Sequence, residues 1–291
     1  MSLFSIIFLY IILLIVPIAL LSSLWKGSCY SRFDWIIQVL FTGMFLIWIY
    51  FSGSWDWLGY YFRYLWLGLF LLILYPSWKR AKSQFYHDRL KKGLRFSRII
   101  NITLLLIFSL YNLFVISSFT TDDQAIELSF PLQEGTYYIG QGGNHPHMNY
   151  HNAYPDQKYA LDIVKLNSIG TRAFGIYPKE LEKYAIFADH IYSPCHGEVI
   201  AVEQHLPDQI PPATDRDHIT GNYVALLCDH HEAILYLAHM KENSILVNKG
   251  DKVETGQVIG AVGNSGNTTE PHLHIHAEIN GKGVPITFDD K

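Results

Sequence analysis

The chain has 291 residues with a formal net charge of −4, and 49% of them are hydrophobic; roughly 150 residues per domain would give about two domains. The charge is divided unevenly, because residues 119–291 carry 23 acidic and 11 basic side chains, whereas residues 1–118 carry 3 and 11. The acidic C-terminal half lacks the clustered positive field that a phosphate backbone requires, which excludes nucleic acid as the expected partner.

Four apolar runs occupy the first part of the chain, and each is near the ~17–25 residues with which a helix crosses a bilayer. Together they leave almost no polar surface for a soluble fold. The first run lacks the positive start and the small-residue cleavage site of a signal peptide. We therefore predict that residues 1–118 form a bundle of four transmembrane α-helices held in the lipid bilayer, at residues 3–24, 35–51, 58–75 and 99–119.

The connections between these runs differ in basic charge, which predicts their orientation. Lys26 and Arg32 lie in the first connection, while residues 52–56 of the second contain no basic side chain. The first and third connections should therefore be cytoplasmic, and the chain after residue 119 should lie outside the bacterial cytoplasmic (inner) membrane, in the periplasm or the cell-wall space. The third connection holds Lys79, Arg80, Lys82, Arg89, Lys91, Lys92, Arg95 and Arg98.

The rest of the chain consists of short alternating segments separated by Gly and Pro, which is typical of an all-β domain. We assign residues 119–134 to a linker and 135–291 to this domain. A helix is weakly indicated at residues 179–184, and residues 206–221 form a long loop of the kind that is usually functional or flexible. The predicted strands are residues 198–204, 222–229, 233–238, 257–262 and 272–279.

The last of these strands carries three histidines at alternate positions. Because strand side chains alternate between the two faces of a sheet, His272, His274 and His276 should share one face. A solvated, exposed strand is the plain alternative, but rows of imidazoles favour a metal site such as zinc with three protein ligands. His276 lies about 7 Å beyond His274, too far to bind the same ion. It is expected beside the substrate groove or behind the ligands.

Further ligands must come from upstream, where 13 of the 14 histidines lie in the C-terminal half. Asp162 is the lone charge of an apolar, strand-like segment, residues 159–164. A buried carboxylate is costly unless it is paired, hydrogen-bonded or bound to a metal. The histidines that precede it, His145, His147 and His151, are therefore candidate ligands beside it.

Three cysteines occur, and two of them, Cys195 and Cys228, lie in the C-terminal half, Cys228 in a predicted strand and Cys195 shortly before one. An oxidising compartment outside the membrane would permit a disulfide between them. The sequence leaves this bond open, because a disulfide requires a Cα separation that spacing alone does not give.

Three motifs in the C-terminal half carry a family resemblance. They are residues 236–240 (YLAHM), 249–260 (KGDKVETGQVIG) and 263–274 (GNSGNTTEPHLH). Their order, spacing and residue types resemble the lysostaphin-type (LytM-like) zinc endopeptidases, in outline over residues 130–279 and densely over 236–278. The resemblance implies a duplicated hybrid motif in a LytM-like β-sandwich, following the membrane bundle.

The resemblance also implies the roles of individual side chains. His274, the second histidine of the Pro-His-Leu-His motif, would be a ligand of one zinc ion per domain, together with Asp162 and His151. His272 and His239 would be the catalytic pair. They would hold the attacking water, move its proton and stabilise the oxyanion, while zinc lowers the pKa of that water.

The sequence departs from the commonest family pattern at the upstream ligands. That pattern is a compact His-x-x-x-Asp, whereas ten residues separate His151 from Asp162, and Ala160 replaces the usual glycine two positions before the aspartate. A loop of this length could present either of two imidazoles. His147 therefore remains an alternative to His151.

The function implied is that of a membrane-anchored zinc metalloendopeptidase whose substrates are peptides of bacterial peptidoglycan. The alternative is a catalytically inactive LytM-like domain that binds and regulates a partner cell-wall hydrolase, so a regulatory protein partner is possible. Inactive domains of this kind typically lose ligands, whereas this chain retains all five candidate side chains. The complete set favours the enzyme.

Overall fold

The structure is a computed structural model that describes residues 3–27, 29, 31–84, 92–229 and 231–289. The chain divides into two compact units, residues 2–116 and 117–291. Each unit has its own apolar core.

The first unit is built of helices. Among the described residues, three helices are long and apolar enough to cross a membrane, namely Phe4–Lys26, Arg32–Ser52 and Phe96–Ser118. The N-terminal one of these is interrupted by a π-helical turn. The elements are α1 (Leu3–Tyr10), the π-helical turn (Ile11–Ile15), α2 (Val16–Lys26), α3 (Arg32–Ser52), α4 (Phe62–Gln84) and α5 (Lys92–Ser118).

The π-helical turn lies where Pro17 interrupts the backbone hydrogen bonds. Proline has no N–H to donate to the carbonyl of Leu13, four residues earlier. The indole Nε1 of Trp66, on α4, donates to that carbonyl at 3.0 Å. The missing donor is therefore replaced by the side chain of a neighbouring helix.

The third predicted span corresponds to α4, which differs from the other helices in composition. Arg63 lies in its first turn, Pro76 in its interior and Lys82 in its last turn. It is not among the three helices whose length and composition fit a span. The structure thus has helices at all four apolar runs, of which three are candidate spans. Arg89 and Lys91 of the basic third connection lie outside the described residues.

The second unit is all-β, as the sequence predicts. Its strands are short and most of them pair antiparallel. They are β1 (Ile126–Leu128), β2 (Thr136–Gln141), β3 (Leu161–Leu166), β4 (His190–Tyr192), β5 (Gly197–Glu203), β6 (Asn222–Cys228), β7 (Ile234–Met240), β8 (Lys252–Val253), β9 (Val258–Ala261), β10 (Leu273–Ile279), β11 (Lys282–Val284) and β12 (Ile286–Phe288).

One large antiparallel sheet has the order β2-β3-β10-β7-β6-β5-β8, with β11 paired to β10. Two small sheets accompany it, β1 with β12 in parallel and β4 with β9 antiparallel. Apolar side chains of the central strands fill the core, among them Val224, Leu226, Leu235, Leu237, Leu273 and Ile275. The histidine-bearing strand β10 therefore lies inside the sheet, between β3 and β7.

The predicted strands agree with β5, β6, β7, β9 and β10 to within one or two residues at each end. The weak helix at residues 179–184 is a short 3-10 turn, Leu181–Lys183. The segment assigned to a linker contributes β1, and Leu128 and Leu132 are buried in the core. Its alternating apolar residues make it part of the folded unit.

Cys195 and Cys228 form a disulfide, with a Cα–Cα distance of 5.8 Å. Cys228 lies opposite Gly197 in the β5–β6 register, which brings the two cysteines within reach of each other. The bond closes a loop between positions 33 residues apart.

Removing this disulfide should destabilise the β unit without changing its fold. In the chain-entropy account, a loop of this length corresponds to about 3–4 kcal/mol. We expect the Cys195→Ser, Cys228→Ser double variant to unfold at a clearly lower temperature, as followed by far-UV circular dichroism of the full chain in detergent. Cys29→Ser, which removes the free cysteine, is the control. An unchanged transition in the double variant would contradict the expectation.

Candidate active site

The sheet register places Asp162 and His274 side by side. Asp162 on β3 and His274 on β10 are direct partners across the two antiparallel strands, so their side chains share a face. Nδ1 of His274 lies 2.9 Å from Oδ1 of Asp162. Both residues are buried. The carboxylate of Asp162, for which the sequence indicated a partner without identifying it, is thus paired with His274.

His151 reaches the same carboxylate from a loop. It lies in a short 3-10 turn, Tyr150–Ala153, and its Nε2 is 3.0 and 3.1 Å from the two oxygens of Asp162. The fully buried Asn149 holds this turn. Its Oδ1 accepts from the backbone N–H of His151, and its Nδ2 donates to the carbonyl of Ala160 at 3.1 Å. The loop is thereby tied to the start of β3.

His151, Asp162 and His274 form the one group among the described residues whose side chains could hold a metal ion. Their candidate ligand atoms all lie within 4.8 Å of one another. Ligands of a tetrahedral zinc ion, at about 2.0 Å from the metal, lie about 3.3 Å apart. Two imidazoles and one carboxylate at this spacing fit zinc, and His147 is not part of the group.

The electrostatics of the group preserve its negative charge. Burial alone would raise the pKa of Asp162, but the imidazoles of His272, His151 and His274 outweigh burial and hold that pKa well below its usual range. Burial lowers the pKa of His274. Asp162 is therefore held as a carboxylate and His274 as a neutral imidazole, which are the forms of these side chains that bind a metal.

His239 enters the site through an irregularity in β7. Its neighbour Ala238 is the register partner of His274, so regular alternation would turn residue 239 to the opposite face. A register shift between β6 and β7 and a φ of 58° at His239 redirect the side chain. A positive φ costs a non-glycine residue about 1–3 kcal/mol, and residues under such strain cluster at functional sites.

The rings of His239 and His272 lie 4.8 Å apart, and each is held by a carbonyl. Nδ1 of His239 donates to the carbonyl of Ser265 at 2.9 Å, and Nδ1 of His272 donates to the carbonyl of Glu270 at 2.9 Å. Because a carbonyl can only accept, the proton of each neutral ring is on Nδ1. Nε2 of both rings is then the atom that can accept a proton.

Nε2 of His272 is buried and has no hydrogen-bond partner. It lies 3.6 Å from Oδ1 of Asp162, next to the three candidate ligands. An unpartnered polar atom in a buried position is costly, so the site is suited to a further polar group, such as a zinc-associated water. Burial is the main reason why the pKa of His239 lies well below its ordinary value, and the neighbouring His272 lowers it further. The ring of His239 is therefore neutral near pH 7.

His276 is buried behind His274, with its Nδ1 2.9 Å from Nε2 of His274. Burial and the neighbouring histidines lower its pKa to about 3. It is not a member of the candidate ligand group, in agreement with its predicted distance along the strand. The plain alternative of a solvated row is wrong, because His272, His274 and His276 are all buried.

Sequence reasoning gave no role to Tyr150. Its hydroxyl donates to Oδ2 of Asp162 at 3.2 Å, and its ring lies 4.0 Å from that of His151. The residue is 53% exposed, but partial burial of its hydroxyl, together with the adjacent Asp162 carboxylate, raises the pKa of the phenol, which keeps it a donor. Adjacency to His151 was the only signal in the sequence, and it does not show where the hydroxyl points.

The long loop at residues 206–221 packs along the segment that precedes β10. Asn222 is fully buried and anchors it by donating to the carbonyls of Leu206 and Met240. At Gly221, whose φ is +64°, a Cβ would lie 2.2 Å from the carbonyl oxygen of Ser265. That oxygen accepts from His239, so only glycine permits this close approach.

Residues 184–286 match the model of Peptidase family M23, and the chain therefore contains an M23 (LytM/lysostaphin-type) domain. His239, His272 and His274 lie inside the matched range. His151 and Asp162 lie before it.

Two curated relatives come from Vibrio cholerae serotype O1. The peptidoglycan DD-endopeptidase ShyA is 40% identical over 70 residues, which cover 24% of this chain and 16% of ShyA. The peptidoglycan DD-endopeptidase ShyB is 32% identical over 94 residues, 32% of this chain and 18% of ShyB. The matched stretch thus spans less than a fifth of either relative.

Two solved structures have partial similarity to the chain. A zinc containing peptidase from Vibrio cholerae is 20% identical, with 56% of this chain and 39% of that chain covered and a TM-score of 0.32. The catalytic domain of lysostaphin from Staphylococcus simulans is 19% identical, with 45% and 84% covered and a TM-score of 0.26.

Proposed function

We propose that the β unit is a zinc metalloendopeptidase in which His151, Asp162 and His274 bind the metal and His239 and His272 are catalytic. The observation that carries the proposal is the convergence of two buried imidazoles and a carboxylate beside the unpartnered Nε2 of His272. Three protein ligands with an open position are the arrangement of hydrolytic zinc sites.

Zinc, when bound, supplies Lewis acidity that makes water a nucleophile near neutral pH. Side chains of the site transfer the protons. Nε2 of His272 and His239 can take the proton of that water and later return it to the leaving amine, because their Nδ1 atoms are committed to carbonyl acceptors. The phenol of Tyr150 holds Asp162 from the other side, which fixes the carboxylate.

The proposed substrates are cross-linking peptides of bacterial peptidoglycan. Support comes from the M23 match and from relatives named as peptidoglycan DD-endopeptidases. An acidic domain on the outer side of a membrane would meet this polymer where it is assembled. The Cys195–Cys228 disulfide supports the same location, since such bonds persist in oxidising compartments.

For the helical unit, we propose four membrane spans with α4 as the third. The polar ends of α4 are compatible with a span, because Arg63 lies 3.9 Å from the ring centroid of Tyr50 and Lys82 lies in the last turn, where side chains reach the interface. If the third connection is cytoplasmic, the fourth span leads the chain to the outer side of the membrane, and the β unit lies there.

The proposal is tested with the purified, tag-free full chain in detergent. Zinc per chain is measured, and cross-linked peptidoglycan fragments are incubated with the protein and separated by mass. We expect one zinc and the release of uncross-linked peptides. Stoichiometric zinc without cleavage of any fragment would favour the alternative, a domain that regulates a partner hydrolase. No zinc at all would overturn the ligand set.

Removing the metal should also lower the stability of the β unit. A ligand that binds only the folded state stabilises it by about 4 kcal/mol when present at 1,000 times its Kd. We expect a chelator to lower the unfolding temperature of the full chain and added zinc to restore it. Asp162→Asn is the control, and its unfolding temperature should respond to neither treatment. An unaltered wild-type transition would contradict the proposed site.

A further inference from the structure

His276 contacts a proposed zinc ligand without being one. It is 5% exposed, and its Nδ1 lies 2.9 Å from Nε2 of His274. The other ring nitrogen of His274, Nδ1, lies 2.9 Å from Oδ1 of Asp162. His274 is therefore engaged at both nitrogens, on one side by the proposed metal group and on the other by His276.

This arrangement bears on which nitrogen of His274 carries the proton. A neutral imidazole has one N–H and one lone pair. If Nδ1 binds the metal, it must present its lone pair, and the proton must be on Nε2. A buried N–H requires an acceptor, and Nδ1 of His276 stands at hydrogen-bond distance from it.

The sheet holds His276 in the orientation that this contact needs. His276 is the register partner of Tyr236 on β7. The two rings are stacked, with centroids 4.8 Å apart and an interplanar angle of 10°. A ring packed flat against a cross-strand neighbour keeps its plane, and in that plane Nδ1 of His276 faces Nε2 of His274 at 2.9 Å.

We propose that His276 is a positioning residue of the zinc site. It accepts the Nε2 proton of His274 and thereby holds the tautomer and the ring orientation in which Nδ1 of His274 faces the metal. The proposal rests on the proposed function, because it takes His274 as a zinc ligand. Outer hydrogen-bond partners of metal-binding histidines contribute about 10–100-fold to metal affinity.

The test compares His276→Leu with His276→Asn in the full chain in detergent. The two replacements are similar in size and both lose the stacked ring, but only Asn has an oxygen that can accept from Nε2 of His274. Zinc affinity is measured by competition with a chromophoric chelator. We expect a loss of about 10–100-fold for Leu and recovery of most of that loss for Asn.

Tyr236→Leu is a further control, because it removes the stacking partner and keeps the acceptor. Its loss of zinc affinity should be smaller than that of His276→Leu. The unfolding temperature of each metal-free variant is measured alongside, and similar values for Leu and Asn assign the difference in affinity to the acceptor.

Wild-type affinity in His276→Leu would overturn the inference, as would an equal loss in Leu and Asn with equal metal-free stability. If His276→Leu does not fold, the Asn variant decides: affinity near wild type supports the inference, and a loss of about 10-fold or more overturns it. A wild-type protein that binds no zinc is a separate result, which overturns the proposed function and the inference with it.

Discussion

Replacing Asp162 with Asn should leave the full chain folded but unable to retain zinc, and should abolish peptide cleavage. Asn keeps the shape of the side chain and one acceptor oxygen, which can take the place of the Oδ1 that His151 and His274 contact at 3.0 and 2.9 Å. It lacks the negative charge that draws the metal to a buried site. The loss of zinc affinity should exceed the roughly 10–100-fold that outer hydrogen-bond partners contribute.

The measurement is zinc per chain after gel filtration, with the competition assay for weaker binding. Asp229→Asn is the matched control, because Asp229 also faces a histidine, with His196 Nε2 at 3.6 Å on an exposed surface. Zinc content and cleavage should be unaffected in that variant. Stoichiometric, tightly held zinc in Asp162→Asn would remove this carboxylate from the ligand set.

Replacing His272 with Ala should also impair cleavage but, unlike Asp162→Asn, should leave zinc bound. His272 is outside the group that could hold the metal, yet its Nε2 is buried without a partner next to it. General acid–base groups contribute roughly 10²–10⁴-fold to rate, so kcat/KM should fall by about that factor. His239→Ala should behave similarly, since its ring lies 4.8 Å away.

The double variant separates a joint role from two independent ones. Residues that act as a unit are not additive, so His239→Ala combined with His272→Ala should lose little more activity than either alone. His196→Ala, on an exposed histidine, serves as the control and should cleave as the wild type does. Near-normal cleavage by His272→Ala with zinc present would show that this imidazole is not catalytic.

The sequence predicted the part of the site that follows from strand periodicity. His272, His274 and His276 lie on one face because alternation in a strand does not depend on the rest of the fold. Their partner across the sheet, Asp162, depends on the register between β3 and β10, which joins residues 112 positions apart. The lone charge in an apolar segment indicated that a partner exists but not which one.

The position of His239 could not be derived from local pattern. Regular alternation along β7 would turn its side chain away from His274, because Ala238 holds the register position. The bulge and the positive φ that redirect it depend on the loops packed around it, including Gly221 against Ser265. Only the family resemblance predicted that His239 belongs to the site.

The loop before Asp162 could not be predicted from local pattern either. The ten residues between His151 and Asp162 left His147 as an alternative, because loop length does not specify which imidazole reaches the metal. In the structure, Asn149 ties the turn to Ala160 and brings His151 to the carboxylate. A buried asparagine that joins two backbone segments leaves no periodic signal.

The zinc-edge X-ray absorption spectrum of the tag-free full chain, recorded with its zinc-to-protein ratio, tests the central claim most directly. The account predicts one zinc per chain with nitrogen and oxygen ligands at about 2.0–2.2 Å and the multiple-scattering pattern of two imidazoles. A protein that takes up no zinc, or that holds it through sulfur at about 2.3 Å, would contradict it.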